Sequence, residues 1–207
     1  MIVLLLVAAL LRIAPATPVV GYVGCSNTAQ TVAGARVDGY EHMWPNLRYG
    51  GGTIQSWASG VNWRSFDMAQ ARYPAAVVWF QLCELGRDHI SGEASLQTAL
   101  VVIDGIRARI PGVAIYVSAI NDYVAPHVAP KLGVNGPQNM RDLAASLVSG
   151  GYALAGPDVG SIVSMYQTPS AGASAATNET ETDGTHPNLA GQAHLGQALV
   201  AFFGAIA

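Results

Sequence analysis

Apolar positions along the chain fall into two kinds of block. The first kind is short and continuous: "PVVGYVG" at 18–24, "AAVVWFQLC" at 75–83 and "GVAIYVSAI" at 112–120. These runs have strand length, carry β-branched or aromatic residues and stop at glycine, cysteine or a polar turn, so they predict buried strands. Weaker blocks of the same kind are "LRYGGGTI" (47–54) and "YALAG" (152–156). The second kind repeats at helical spacing. Between 93 and 110 the apolar positions Leu96, Leu100, Ile103, Ile106 and Ile110 mark one face, and the pattern ends before Pro111-Gly112. Further helices are expected over 28–37, 138–149 and 189–203. Strand and helix alternate from end to end, which predicts an α/β chain with a parallel sheet covered by helices on both faces. Ligands of such sheets bind at the carboxyl ends of the strands. The turns after positions 24, 50, 83, 120 and 156 are therefore where chemistry is expected.

Length and composition narrow this picture. The chain has 207 residues, of which 51% are hydrophobic and 11% charged, as a single folded domain requires. The net charge is −3, and Lys and Arg are scattered without a basic stripe, so no nucleic-acid partner is expected. The opening "MIVLLLVAALL" is too short for a comfortable membrane span and is followed by "APA" at 14–16. That pattern predicts a signal peptide over 1–16, with a secreted or periplasmic domain over 17–207 and no membrane span after processing. No glycine-rich nucleotide motif, Walker pattern or metal-spaced His/Cys cluster occurs, so no cofactor and no metal is expected.

The chemistry-bearing residues sit in two turns, one at an expected strand end and one before the last helix. Ser26 follows the first strand. Asp183 and His186 lie in "TDGTHPN", just before the last helix, which Pro187 can start at its first position. A residue before proline is pushed out of the helical region, so His186 belongs to an extended turn with its ring free to project. An Asp three residues upstream can accept from one ring nitrogen and leave the other as a base. A serine hydroxyl needs such a base to act as a nucleophile. The competing reading is local: Ser26 or Asn27 caps the following helix, Asp183 serves a turn and His186 is a surface side chain.

Together "GCSNT" (24–28) and "DGTHPN" (183–188) resemble the two end blocks of the GDSL/SGNH hydrolase family. The resemblance spans nearly the whole of 17–207. It implies a three-layer α/β/α, flavodoxin-like fold with a parallel sheet of about five strands. It also implies a serine-dependent acyl-ester hydrolase with Ser26 as nucleophile, His186 as base and Asp183 as the residue that orients it. The substrate would be a small ester or an acylated carbohydrate, and the protein a monomer. The oxyanion would be held by the Ser26 N–H, a glycine N–H (Gly51 or Gly52) and an Asn side chain.

Two blocks depart from the family. The expected Gly-x-Asn-Asp after the strand "AAVVWFQL" is replaced by "CELGRDH" (83–89). Alignment on Cys83 puts Leu85 at the Asn position; alignment on Gly86 puts Asp88 there. Asn121, after the next strand, is the residue expected to approach from the neighbouring turn as a substitute amide. The Asp before the nucleophile is Cys25. In the flavodoxin-like order Cys25 and Cys83 end neighbouring strands, so they form either one disulfide or two buried thiols. Loss of the third block also supports an alternative, a non-catalytic module of the same fold that binds a glycan or cell-surface ligand. Trp44, Trp57, Trp63 and Trp79 are expected in the core, and His127 at the substrate mouth.

Overall fold

The computed structural model describes residues 18–45, 51–84, 92–124, 135–164 and 178–206. Strands β1 (Val20–Val23), β2 (Val77–Leu82), β3 (Ala114–Ala119) and β5 (Leu154–Ala155) form a parallel sheet in the order β1-β2-β3-β5. Two shorter strands, β4 (Asp122–Val124) and β6 (Ser161–Val163), pair in parallel beside it. The helices are α1 (Ser26–Val37), α2 (Ile54–Ala58), α3 (Trp63–Arg72), α4 (Gly92–Arg109), α5 (Gly136–Ser149) and α6 (Leu189–Ala205). The α/β class and the parallel sheet are as the alternation predicts. The expected signal peptide lies outside the described residues, and no helix among those described is long and apolar enough to cross a membrane.

The sheet differs from expectation at its first edge. The strand expected over 47–54 lies partly outside the described residues. What is described there is a single parallel bridge from Gly51 to Gly24, and a second bridge joins Met43 to Val20. Three consecutive glycines offer no side chains to pack on a sheet. Immediately after them Thr53 turns the chain into α2 by accepting from the Ser56 amide. Among the described residues the sheet thus has four strands, with bridges on the outer side of β1. The short elements α2, α3, β4 and β6 were not expected. Trp63, Phe66 and Ala69, the buried residues of α3, do repeat at a helical interval, whereas three-residue strands are below what alternation can reveal.

The period of two along the strands sorts side chains between the two helical layers. Gln81 of β2 accepts from Thr28 of α1 at 2.6 Å, and Tyr116 of β3 meets Phe202 and Phe203 of α6 edge-on. These positions face the α1/α6 layer. On the other side α5 lies against β3, and α4 contacts α2 and α5. All four tryptophans are buried. Indole N–H groups donate from Trp44 to the Tyr73 carbonyl, from Trp57 to the Gly24 carbonyl and from Trp79 to Ser118 Oγ, so their polar ends are satisfied inside the core.

Helices α1 and α6 approach closely because glycine stands at the crossing. A Cβ on Gly34 would lie 1.8 Å from the Gln192 carbonyl oxygen, and one on Gly196 would lie 2.3 Å from the Ala35 amide nitrogen. Neither obstacle is a flexible side chain, so a methyl group there forces the helices apart. Gly34→Ala is expected to destabilise the fold by about 1–3 kcal/mol despite the better helix propensity of alanine. Thermal unfolding followed by circular dichroism measures this, and an unchanged midpoint would contradict the packing described.

Candidate active site

Strand β1 leads through Gly24 and Cys25 directly into α1. Cys25 is the N-cap residue, in extended conformation and with no side-chain cap bond, and Ser26 is the first helical residue. Ser26 is the only exposed residue between positions 20 and 29. Its hydroxyl does not cap the helix. Ser26 Oγ lies 2.6 Å from His186 Nε2, across 160 positions of sequence. The turn beneath is tightly filled: a Cβ on Gly24 would come within 2.1 Å of Thr28 Oγ1.

The histidine is held by its own loop. His186 Nδ1 lies 2.5 Å from Asp183 Oδ2. The other carboxylate oxygen, Oδ1, accepts from the backbone amides of Thr185 and His186, each at 3.0 Å. One oxygen thus closes the turn and the other faces the ring. With Nδ1 donating to the carboxylate, Nε2 carries the lone pair that can accept from the Ser26 hydroxyl. Gly184 sits at φ +66°, a left-handed value that favours glycine in this turn. Its carbonyl accepts from the buried Ser164 hydroxyl at 2.8 Å. Pro187 does not open the helix as expected. Asn188 is the N-cap of α6, its Oδ1 accepting from the Ala190 and Gly191 amides. An amide side chain that accepts from two orphan N–H groups defines the start better than the proline ring one position earlier.

The glycine pair after β1's outer bridge is resolved by position. The Gly52 amide donates to the Gly24 carbonyl at 2.8 Å. Gly51 stands against the Ser26 turn: a Cβ there would lie 2.8 Å from the Ser26 amide nitrogen and 3.1 Å from its Cα. Of the two, Gly51 is the glycine beside Ser26. The Ser26 amide itself belongs to the first turn of α1, where N–H groups have no intrahelical acceptor.

Asn121 is buried beneath the site. Its Oδ1 accepts from Asn27 Nδ2 at 3.3 Å and its Nδ2 donates to the Asp122 carbonyl at 3.3 Å. The same Asn27 nitrogen donates to the Thr185 carbonyl at 2.9 Å and to Tyr123 Oη at 3.0 Å, and the Tyr123 hydroxyl donates to the Thr185 carbonyl at 2.7 Å. Burial holds the Tyr123 phenol well above its ordinary range, so it is a neutral donor. The sequence alone offers Asn27 only as a possible cap beside Ser26 and gives no signal for Tyr123.

Cys25 and Cys83 are both buried free thiols, and their sulfurs share a hydrogen bond. That bond, with burial, pushes the Cys83 thiol well up. Burial also raises Cys25, but the Cys83 bond and the Asn27 and Thr28 amides outweigh it and lower the thiol. Just beyond, Glu84 accepts from Gln55 Nε2 and from Ser95 Oγ. Leu85 and Asp88, the two aligned positions of the third block, lie outside the described residues, as does His127. Among the described residues no group of three or more His, Cys, Asp or Glu side chains could hold a metal ion.

Compared with family models, curated proteins and solved structures, the chain matches none. The Asn188 cap provides a direct check on how the His186 turn is anchored. Asn188→Ala is expected to cost about 1 kcal/mol, read as a lower urea midpoint at unchanged slope; an unaltered midpoint would contradict it.

Proposed function

We propose that the protein is a serine-dependent acyl-ester hydrolase acting on a small ester or an acylated carbohydrate. The observation that carries this reading is the unbroken chain from Ser26 Oγ through His186 to Asp183. His186 Nε2 takes the hydroxyl proton as Ser26 Oγ attacks the ester carbonyl carbon. The imidazolium, stabilised by Asp183, then gives that proton to the leaving alcohol and an acyl-enzyme remains. A water molecule attacks the acyl carbon, again losing its proton to His186 Nε2, and the acid is released with the proton returned to Ser26.

The developing oxyanion is held by the Ser26 and Gly51 N–H groups, with the N-terminal dipole of α1 behind them. Asn121 is bonded to Asn27 and to the Asp122 carbonyl, so no side-chain amide is assigned to the oxyanion here. The chemistry calls for no cofactor. The resemblance of "GCSNT" and "DGTHPN" to the GDSL/SGNH hydrolases supports the same assignment, and the apolar N-terminus supports export to the periplasm or the medium. An oxidising compartment would let the adjoining thiols of Cys25 and Cys83 lose two protons and two electrons to a disulfide oxidant and close into a bridge.

Ser26→Ala and His186→Ala are each expected to lower turnover of a short-chain p-nitrophenyl ester by a factor on the order of 10⁴ or more, with folding intact. A serine-reactive phosphonate is expected to label wild-type Ser26. Unchanged turnover in purified Ser26→Ala would sink the mechanism, and absence of labelling in folded protein would favour a glycan- or surface-binding module. Thiol titration of the exported protein, unfolded without reductant, is expected to find no free thiol. Two free thiols would end the disulfide assignment.

A further inference from the structure

We propose that Asn27 and Tyr123 are positioning residues: together they grip the Thr185 carbonyl and so hold the His186 imidazole against Ser26. The inference rests on the hydrolase reading and assigns to that site two residues outside the triad and the oxyanion donors.

The three groups form a closed triangle of hydrogen bonds. The two protons of Asn27 Nδ2 are shared among three acceptors, the Thr185 carbonyl at 2.9 Å, Tyr123 Oη at 3.0 Å and Asn121 Oδ1 at 3.3 Å, and the Tyr123 hydroxyl gives its own proton to the same Thr185 carbonyl. Asn121 Oδ1 lies farther off the same nitrogen and steadies it from behind. Asn27, Asn121 and Thr185 are 2%, 0% and 4% exposed and Tyr123 is half-buried, so water competes little for these bonds.

What the triangle holds is the peptide unit that carries His186. The carbonyl of that unit is gripped by Asn27 and Tyr123, and its N–H donates to Asp183 Oδ1. A planar peptide fixed at both its oxygen and its nitrogen cannot rotate about the flanking bonds. The Cα of His186 is therefore fixed, and its ring is fixed in turn by Asp183 Oδ2. Asn27 also follows Ser26 directly in α1. The same helix start thus carries the nucleophile and clamps the peptide of its base, while Tyr123 ties both to β4.

A bond that only stabilised the fold would leave turnover of the folded protein alone. Positioning makes a different demand, because a displacement of about 1 Å at a catalytic group costs roughly 10²-fold in rate. The test uses the full chain with Tyr123→Phe, which removes one hydroxyl, and Asn27→Ala. Folding is checked by near-ultraviolet circular dichroism. With a short-chain p-nitrophenyl ester, kcat is expected to fall roughly 10- to 100-fold in each variant while KM stays within about threefold. The double variant is expected to be little worse than the poorer single one, because both act on one peptide unit.

A second readout does not depend on turnover. The proton shared by His186 Nδ1 and Asp183 is expected to give a far-downfield NMR resonance in wild type, and to exchange away with water in both variants. Folded Tyr123→Phe that keeps wild-type kcat and the resonance would overturn the proposal. If instead Ser26→Ala leaves wild-type turnover unchanged, the hydrolase reading fails by itself. The resonance then still decides whether the grip holds the histidine.

Discussion

The candidate site depends on how closely α1 and α6 cross. Helix α1 starts on Ser26, and α6 starts at Leu189, three residues after His186. The two helices meet with Gly34 against the Gln192 backbone and Gly196 against the Ala35 backbone. This contact turns a separation of 160 positions into a 2.6 Å approach of Oγ to Nε2. The sheet contributes the other half of the constraint. β1 ends where α1 begins, and its parallel pairing with β2 fixes that start in space.

Within this frame the polar groups are ordered by scarcity of partners. Asp183 divides its two oxygens between the backbone of its own turn and the His186 ring. Thr185 presents its amide to Asp183 and its carbonyl to Asn27 and Tyr123. Every one of these bonds is made within the protein itself, so the His186 ring is ordered without a ligand. Ser26, by contrast, is exposed among buried neighbours, where a small molecule can reach it.

The departures from the family pattern acquire a physical meaning beside this geometry. Cys25 stands where the resemblance would put an Asp, and its sulfur meets Cys83 across the ends of the neighbouring strands β1 and β2. The two residues fill one buried space at the base of the nucleophile turn. Asn121 carries a free-looking amide in the sequence, yet its place is beneath the site, against Asn27. Gly51 and Gly52 are indistinguishable as letters, and they separate because one amide is bonded to Gly24 while the other residue abuts Ser26.

Much of the architecture was legible along the chain. Continuous apolar runs marked β1, β2 and β3, and the spacing from Leu96 to Ile110 marked α4, because burial imposes a period on local sequence. Ser26, Asp183 and His186 were legible too, since the last two share a turn and the first follows a strand. The outer edge of β1, the short strands β4 and β6, and the start of α6 at Asn188 rather than Pro187 were not. Each depends on partners distant in sequence or on a competition between caps. By itself, then, the sequence determined the alternating α/β order and the residues able to do chemistry. Which glycine stands beside Ser26, where Asn121 goes, and what holds the histidine in place were decided only by tertiary structure. The reason is that hydrogen-bond partners are chosen by proximity in space, and local periodicity carries no record of it.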